Sequence, residues 1–228
     1  MRIALLGAAP TSKDLLPFND PNWEVWACSP GNYTAPRVDA WFEMHSLDRK
    51  FCPGNEPYIG ELQKHSRVYV AKEDARLPHA IVYPKDEIYK FYGNGPFLDT
   101  FFQSSVSFML AMAIKLKPEV VGLWGIDMAA ADKYGQQRPG CHFFFNEAHK
   151  LGVNIVAPPQ SDILEPLPLY GYKEQLPMYW RQKARKMELR GRVQECDALI
   201  NQKMHEKHML EGSLQDIEYT NNTYLRKR

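Results

Sequence analysis

Arg2 to Leu6, apolar after the first residue, form a short β-prone run that ends at Gly7. Runs of this kind, apolar without alternation, mark strands covered on both faces, as in parallel sheets. Glu24 to Cys28 repeats the pattern and closes in Ser29-Pro30-Gly31-Asn32, a turn signal; Ala40 to Phe42 repeats it again and is followed by polar Glu43 and His45. Arg67 to Ala71 and Ala80 to Tyr83 read as two further short strands. Cys52 to Tyr58, with two prolines and a glycine, reads as loop.

From Asp99 or Thr100 the pattern changes. TFFQSSVSFMLAMAIKLK is apolar almost all round, with Pro118 just beyond its last turn, and predicts a buried crossover helix. Glu119 to Ile126 predicts a strand ending at Asp127. A polar loop, MAAADKYGQQRPG, and a helix from about Cys141 to Leu151 follow, the helix stopped by Gly152. Val153 to Ala157 then makes a last strand, closed by Pro158-Pro159. The alternation predicts an α/β fold, a doubly wound, mostly parallel, Rossmann-like sheet with a C-terminal helical extension. Its expected interior strands are Ile3–Leu6, Val25–Ala27, Val120–Trp124 and Asn154–Val156. The expected division is a nucleotide-binding domain over 1–172 and a helical tail over 173–228.

After Asp162 the composition shifts: SDILEPLPLYGYKEQLP reads as an ordered arm that wraps the domain, and no strand signal follows Met178. From Leu189 and Val193 through Leu210 and Leu214 to Tyr224, apolar residues recur at alternating steps of four and three, a heptad seam. Lys203 and Lys207 interrupt it, and Gly191 and Gly212 weaken the helix. A helical hairpin packed on its own domain and a coiled coil joining a homo-oligomer both satisfy this pattern.

Composition narrows the classes. With 228 residues, 44% of them hydrophobic, the chain can bury a sizeable core. Its 28 Lys and Arg against 27 Asp and Glu indicate no field built for nucleic acid or an anionic membrane. No apolar stretch approaches the roughly 20 residues that span a bilayer, and Gly7 and Pro10 make the first apolar run a buried strand rather than an export signal. Cys28, Cys52, Cys141 and Cys196 lie far apart without a CxxC pair, which argues against a zinc site or a disulfide framework. Reduced thiols in a cytoplasmic protein are expected.

Ligand crevices in parallel sheets lie beyond the carboxyl ends of the strands, so polar residues just after each strand are the candidates. These are Gly7, Ala8, Ala9, Thr11 and Ser12 after the first strand, Ser29 and Asn32 after the second, Glu43 and His45 after the third, and Asp127 after the crossover. Gly7 permits close backbone approach, Thr11 and Ser12 offer hydroxyls, and a helix start there favours a phosphate. The loop is neither GxGxxG nor GxxxxGK[ST], which leaves the nucleotide type open. Asp127 suits a metal or a ribose hydroxyl. Tyr134, Gln136, Gln137 and Arg138 carry donors suited to phosphate, and His142, opening the next helix, suits a general base.

GAAPTS, QSSVSFMLAMAIKLKPEVVGLWGIDM and HFFFNEAHKLGVNIVAPPQSDIL together resemble the sialyltransferase-like fold of bacterial family 42 glycosyltransferases. The GAAPTS loop equally resembles that of uncharacterised proteins related to archaeal hydroxymethylpterin pyrophosphokinase, and uncharacterised bacteriophage proteins share the compact pattern. The likeness covers about residues 1–165. It implies that Gly7 to Ser12 touch nucleotide phosphates, that Ser104 and Ser105 lie near a donor sugar, and that Asp127 stands as the aspartate of the GID motif. It implies further that Tyr134 assists the leaving phosphate and that His142 is near the catalytic base. Ala8 and Ala9 depart from the family's Asn-Gly pair, and the tail from Lys173 has no counterpart. The functions implied are a nucleotide-sugar-dependent glycosyltransferase or an ATP-dependent pyrophosphokinase. In the second, Asp127 and Glu43 would hold Mg²⁺. A third expectation is a nucleotide-binding protein without catalysis. The expected compartment is the cytoplasm, that of the host for a phage protein.

Overall fold

A computed structural model describes residues 1–28, 30–47, 56–128, 132–165, 169, 171–172 and 177–224. Ser29 lies outside the described residues, as does the side chain of Tyr134. Among the described residues seven strands form one sheet: β1 (Arg2–Leu6), β2 (Trp23–Cys28), β3 (Ala40–Glu43), β4 (Val68–Val70), β5 (Ile81–Val82), β6 (Val120–Trp124) and β7 (Asn154–Val156). Every pairing is parallel, in the order β5-β4-β3-β2-β1-β6-β7. The chain thus starts at β1, winds outward to β5, then returns to the other side of β1. This is the doubly wound α/β sheet expected from the unbroken apolar runs.

Burial on both faces explains those runs. Ile3, Leu5, Trp26, Phe42, Val121 and Leu123 face one layer, built on α3 (Ser105–Lys115) and α4 (Asp132–Lys150). Ala4, Leu6, Val25, Trp41, Val68 and Trp124 face the other, against α1 (Glu56–Leu62). Alternate residues of one strand enter opposite cores, so both must be apolar.

Three segments differ from expectation. Glu56 to Tyr58 belong to α1 rather than to loop, and Lys85–Phe91 form a helix, α2, that the pattern did not announce. The larger difference is α4. It begins at Asp132, so Gln136, Gln137 and Arg138 stand on a helix and not in a loop, despite Pro139 inside it. Proline removes one helical hydrogen bond, but packing overrides it here. Gly140, Cys141, Phe144 and Ala148 recur at steps of one, three and four and are buried against α3 and its entry turn. A methyl group at Gly140 would lie 2.2 Å from the Phe101 carbonyl oxygen, which shows how closely the backbones approach. Phe101 and Phe143 stack with centroids 4.0 Å apart. The helix stops as expected at Gly152, whose φ of +72° is left-handed.

The chain divides into two compact units, Met1–Leu164 and Glu165–Arg228. In the second, α5 (Pro177–Tyr224) is one helix of 48 residues, about 70 Å long. It runs through the seam without a break, so of the two expected arrangements, hairpin and coiled coil, Pro177–Tyr224 does not form the hairpin. Val193, Ile200, Leu210, Leu214 and Ile217 on the seam are each more than half exposed. Among the described residues, no helix is long and apolar enough to cross a membrane.

Candidate functional site

Winding direction reverses between β1 and β6, and that reversal is where a doubly wound sheet opens a crevice at its carboxyl edge. Leu6 pairs with Trp124, which brings Gly7 and Gly125 side by side just beyond the strands. The Gly7 N–H donates to the Trp124 carbonyl at 2.8 Å, and the Ala9 N–H to the Gly125 carbonyl at 2.8 Å. A methyl group on Gly7 would lie 2.3 Å from the Gly125 oxygen, and one on Gly125 equally close to the Gly7 oxygen. Gly125 also holds a left-handed φ of +63°. The two glycines therefore act as a pair that lets the strand ends meet without side chains between them.

On this platform the hydroxyls of the first loop take different roles. Ser12 is buried, and its Oγ accepts from the Gly125 N–H at 2.9 Å. It ties the loop to β6 and does not face solvent. Thr11 is exposed and donates to Asp127 Oδ2. Asp127 Oδ1 is buried and has no hydrogen-bond partner among the described residues. Burial raises the Asp127 carboxyl above its ordinary pKa, the Thr11 hydroxyl opposes the shift, and the charge of Asp162 adds to it. Ser161 also lies close enough to hold the carboxyl down slightly. Its one hydroxyl proton, however, goes to the Ile126 carbonyl at 2.6 Å, which leaves Oδ1 unsatisfied.

Ser161 and Asp162 were not among the sequence candidates. They follow β7 at the same edge, and Asp162 Oδ1 accepts from the Met128 N–H at 2.8 Å. The signal was present, since they are polar residues shortly after the last strand, but Pro158 and Pro159 give that stretch the local pattern of a loop end.

The α4 residues are turned toward this same segment. Arg138 Nη2 donates to the Asp162 carbonyl at 2.9 Å, and its Nε lies 3.4 Å from His142 Nε2. His142 is half-buried, and Nε2 is 3.1 Å from the Ile163 carbonyl. That nitrogen is thus engaged by the 161–163 segment. Ser104 caps α3, accepting from the Ser107 N–H at 3.2 Å, and Ser105 is the first residue of that helix. Because α3 precedes β6, its start lies at the carboxyl edge. Asn32 is buried and donates to the Leu6 and Cys28 carbonyls at 3.1 and 2.7 Å. It bridges the ends of β1 and β2. The Cys28 and Cys141 thiols are each pushed up to about 12, chiefly by burial, so neither supplies a thiolate at neutral pH.

A second polar cluster stands at the end of β3. Glu43 is buried; Oε2 accepts from the Tyr58 hydroxyl, and Oε1 accepts from the His45 N–H at 2.8 Å and lies 2.9 Å from His45 Nδ1. β3 and β6 are separated by β2 and β1, three strand spacings or about 14 Å. Glu43 and Asp127 therefore cannot share one Mg²⁺, contrary to the expectation that paired them. Asp127 and Asp162 are the carboxylates that would suit one, since Mg²⁺ takes one or two carboxylates and completes its shell from phosphates and water. Among the described residues no group of three or more His, Cys, Asp or Glu could hold a metal.

No family model matches the chain, and no curated protein matches it. Solved structures do. The sialyltransferase CstII from Campylobacter jejuni, determined with cytidine-5'-monophosphate, is 16% identical over 69% of this chain and 80% of its own, with a TM-score of 0.46. The monofunctional α-2,3-sialyltransferase Cst-I from the same organism is 12% identical over 84% of this chain and 95% of its own, with a TM-score of 0.48. Thiamine pyrophosphokinase from Bacillus subtilis is 16% identical over 69% of this chain, with a TM-score of 0.42. This chain spans only 60% of that enzyme's length. None of these three is a bacteriophage protein. At these identities the likeness concerns the fold.

Proposed function

We propose that the protein is a nucleotide-dependent transferase whose donor, a nucleotide sugar, binds in the crevice between β1 and β6. The observation that carries this reading is Asp127. A strand-end carboxylate with one buried oxygen that has no partner among the described residues sits beside a backbone platform of two glycines, where a ligand's phosphate or hydroxyl groups can come close. Leaving such an oxygen unsatisfied costs about 1–3 kcal/mol, which a ribose hydroxyl or a phosphate-bound cation would recover. Gly7, Ala8 and Ala9 would offer backbone to the phosphates, Thr11 would share the ligand with Asp127, and the start of α3 at Ser104 and Ser105 would face the transferred group. Ser12 and Asn32 would keep the strand ends in place.

Tyr134 and Arg138 would stabilise the departing phosphate from the first turns of α4. His142 serves as acceptor base only if the Ile163 carbonyl releases Nε2. Where Mg²⁺ participates, Asp127 and Asp162 would hold it, and it would neutralise phosphate charge. The rival reading, pyrophosphoryl transfer from ATP, requires that cation. A bound nucleotide without turnover would make the protein a nucleotide-sequestering one.

The test is a thermal-shift and calorimetric screen of nucleoside mono- and triphosphates and nucleotide sugars, with and without Mg²⁺, on wild type and Asp127→Asn. Wild type should gain stability with at least one nucleotide sugar, and Asp127→Asn should lose about tenfold or more in affinity. A protein that binds no nucleotide, or a variant that binds as well as wild type, refutes the assignment.

A further inference from the structure

The seam of α5 is exposed along its length. Leu189, Val193, Ile200, Leu210, Leu214 and Ile217 are between 43% and 61% exposed, and Cys196, on the same stripe, is an exposed free thiol. With Leu189 at d and Val193 at a, the a and d positions continue to Tyr224, with Lys203, Lys207 and Asn221 as polar members. Gly191 and Gly212 both fall at f, the outermost position, where an added methyl would meet nothing within 4 Å. They weaken helix propensity and leave the seam intact. Helices of this kind draw their stability from packing an apolar face, and a stripe this long marks an interaction surface.

Two features identify the occupant. The first is charge. Pro177 to Ile200 carries six Lys and Arg against three Asp and Glu, whereas Asn201 to Tyr224 carries two against four. One end of the helix is basic and the other acidic, so it complements a copy of itself running in the opposite direction. A parallel copy would set like-charged ends side by side, at the 8–10 Å of packed helices, which is about one Debye length. Opposed helix dipoles favour the same arrangement. The flanking pairs do not decide. In an antiparallel pair Arg190 attracts Glu218 and Asp197 repels Glu211; in a parallel pair Arg192 attracts Asp197 and Glu206 repels Glu211.

The second feature is the position of the lysines. Antiparallel helices match a positions with d positions. Centred on His205, they pair Val193 with Ile217, Cys196 with Leu214, Ile200 with Leu210 and Lys203 with Lys207. Every apolar residue of these layers meets an apolar one, and the lysines meet each other. A shift of one heptad in either direction sets both lysines against apolar residues, Leu214 and Leu210 one way, Ile200 and Cys196 the other. Within its own helix Lys203 pairs with Glu206 at 2.7 Å and Lys207 with Glu211 at 3.5 Å, which offsets the positive charge at the centre. Their long stems carry the ammonium groups out to water. Polar residues on a seam fix register at some cost in stability.

We propose that α5 is a dimerisation helix that pairs antiparallel with α5 of a second copy of this chain, centred on His205. This is independent of the transferase reading above.

Two measurements on the full chain test this. The first is oxidative cross-linking with copper phenanthroline in a Cys52→Ser background, where Cys28 and Cys141 are buried and Cys196 is the exposed thiol among the described residues. Cys196 alone should give no covalent dimer, because it faces Leu214 of the second copy. Leu214→Cys should give one, and removing Cys196 from that variant should abolish it. In a parallel pair Cys196 would face its own copy and cross-link unaided. The second measurement is the dimer dissociation constant by sedimentation equilibrium. Arg190→Glu should raise it about tenfold, since the pair with Glu218 occurs twice and each surface pair contributes modestly. Adding Glu218→Arg should bring it back to within about threefold of wild type. In a parallel pair these positions lie about 40 Å apart along the helix, and no rescue is expected. A full chain that is monomeric or larger than a dimer overturns the proposal. So does a covalent dimer from Cys196 alone, the lack of one with Leu214→Cys, or an Arg190→Glu defect that Glu218→Arg leaves unrepaired.

Discussion

The glycine pair at the mouth of the crevice allows a graded prediction. In Gly125→Ala the new methyl would lie 2.3 Å from the Gly7 carbonyl oxygen, 2.8 Å from its carbon and 2.9 Å from Lys13 Cβ, where ordinary contact begins at 3.4 Å. The obstacle is backbone, so no rotamer change relieves it, and β1 and β6 must part by about 1 Å at their ends. Overpacking of this kind costs about 1–3 kcal/mol. A non-glycine residue held at φ of +63° adds about 1–2 kcal/mol. Parting the strands also weakens the hydrogen bonds from Gly7 to Trp124 and from Ala9 to Gly125, each worth about 0.5–1.5 kcal/mol. A loss of about 3–6 kcal/mol is expected, a large fraction of the 5–15 kcal/mol that holds a typical domain.

Two internal controls separate these causes. Gly152 has φ of +72° but nothing within 4 Å of an added methyl, so Gly152→Ala should cost only about 1–2 kcal/mol. Gly60, in α1 with equally open space, should be stabilised by alanine by about 0.5–1 kcal/mol. The assay is urea unfolding followed by circular dichroism, with midpoints compared at constant m-value. If Gly125→Ala is no worse than Gly152→Ala, the strand ends do not touch as described, and the crevice built on them falls as well.

Three further outcomes follow from the site and the tail. Because the Asp127 pKa is raised by folding, the folded state binds the proton more tightly than the unfolded state; stability attributable to this group is full below the ordinary aspartate value near 4 and declines as pH rises through the folded value. Asp127→Asn should therefore stabilise the ligand-free protein near pH 7 and lose that advantage toward pH 3, as read by melting temperature; a variant less stable at pH 7 would show that the carboxylate is well satisfied. Thr11→Val removes the donor to Oδ2 at an exposed position, so it should cost no more than about 1.5 kcal/mol in stability while weakening nucleotide binding about tenfold, measured by calorimetry. For α5, the exposed seam predicts self-association: sedimentation of the full chain should give a dimer that Ile200→Asp with Leu214→Asp returns to monomer, and a monomeric wild type would refute the coiled-coil reading.

Local sequence carried the sheet because its signal is a burial signal. Ile3 to Leu6, Val25 to Cys28 and Val120 to Trp124 are non-polar at successive positions, and only a strand between two layers requires that. Gly152 was legible for a similar reason, since a left-handed helix stop needs no distant partner. The position of Asp127 at the carboxyl edge was legible too, because a parallel sheet gathers its strand ends on one edge whatever the details.

Tertiary structure decided the rest. The start of α4 was hidden because Pro139 and the polar residues before it argue for loop locally, whereas the buried face of Gly140, Cys141, Phe144 and Ala148 gains its energy from α3, a contact invisible along the chain. The roles of the hydroxyls and imidazoles were hidden for the same reason. Ser12 and Thr11 are neighbours of one chemical type, yet one ties β6 in place and the other faces Asp127. His142 and His45 both follow the expected edge, yet one has Nε2 on a carbonyl and the other has Nδ1 on a buried carboxylate. Periodicity specifies which face a side chain takes; only the folded chain fixes which partner its polar atoms meet.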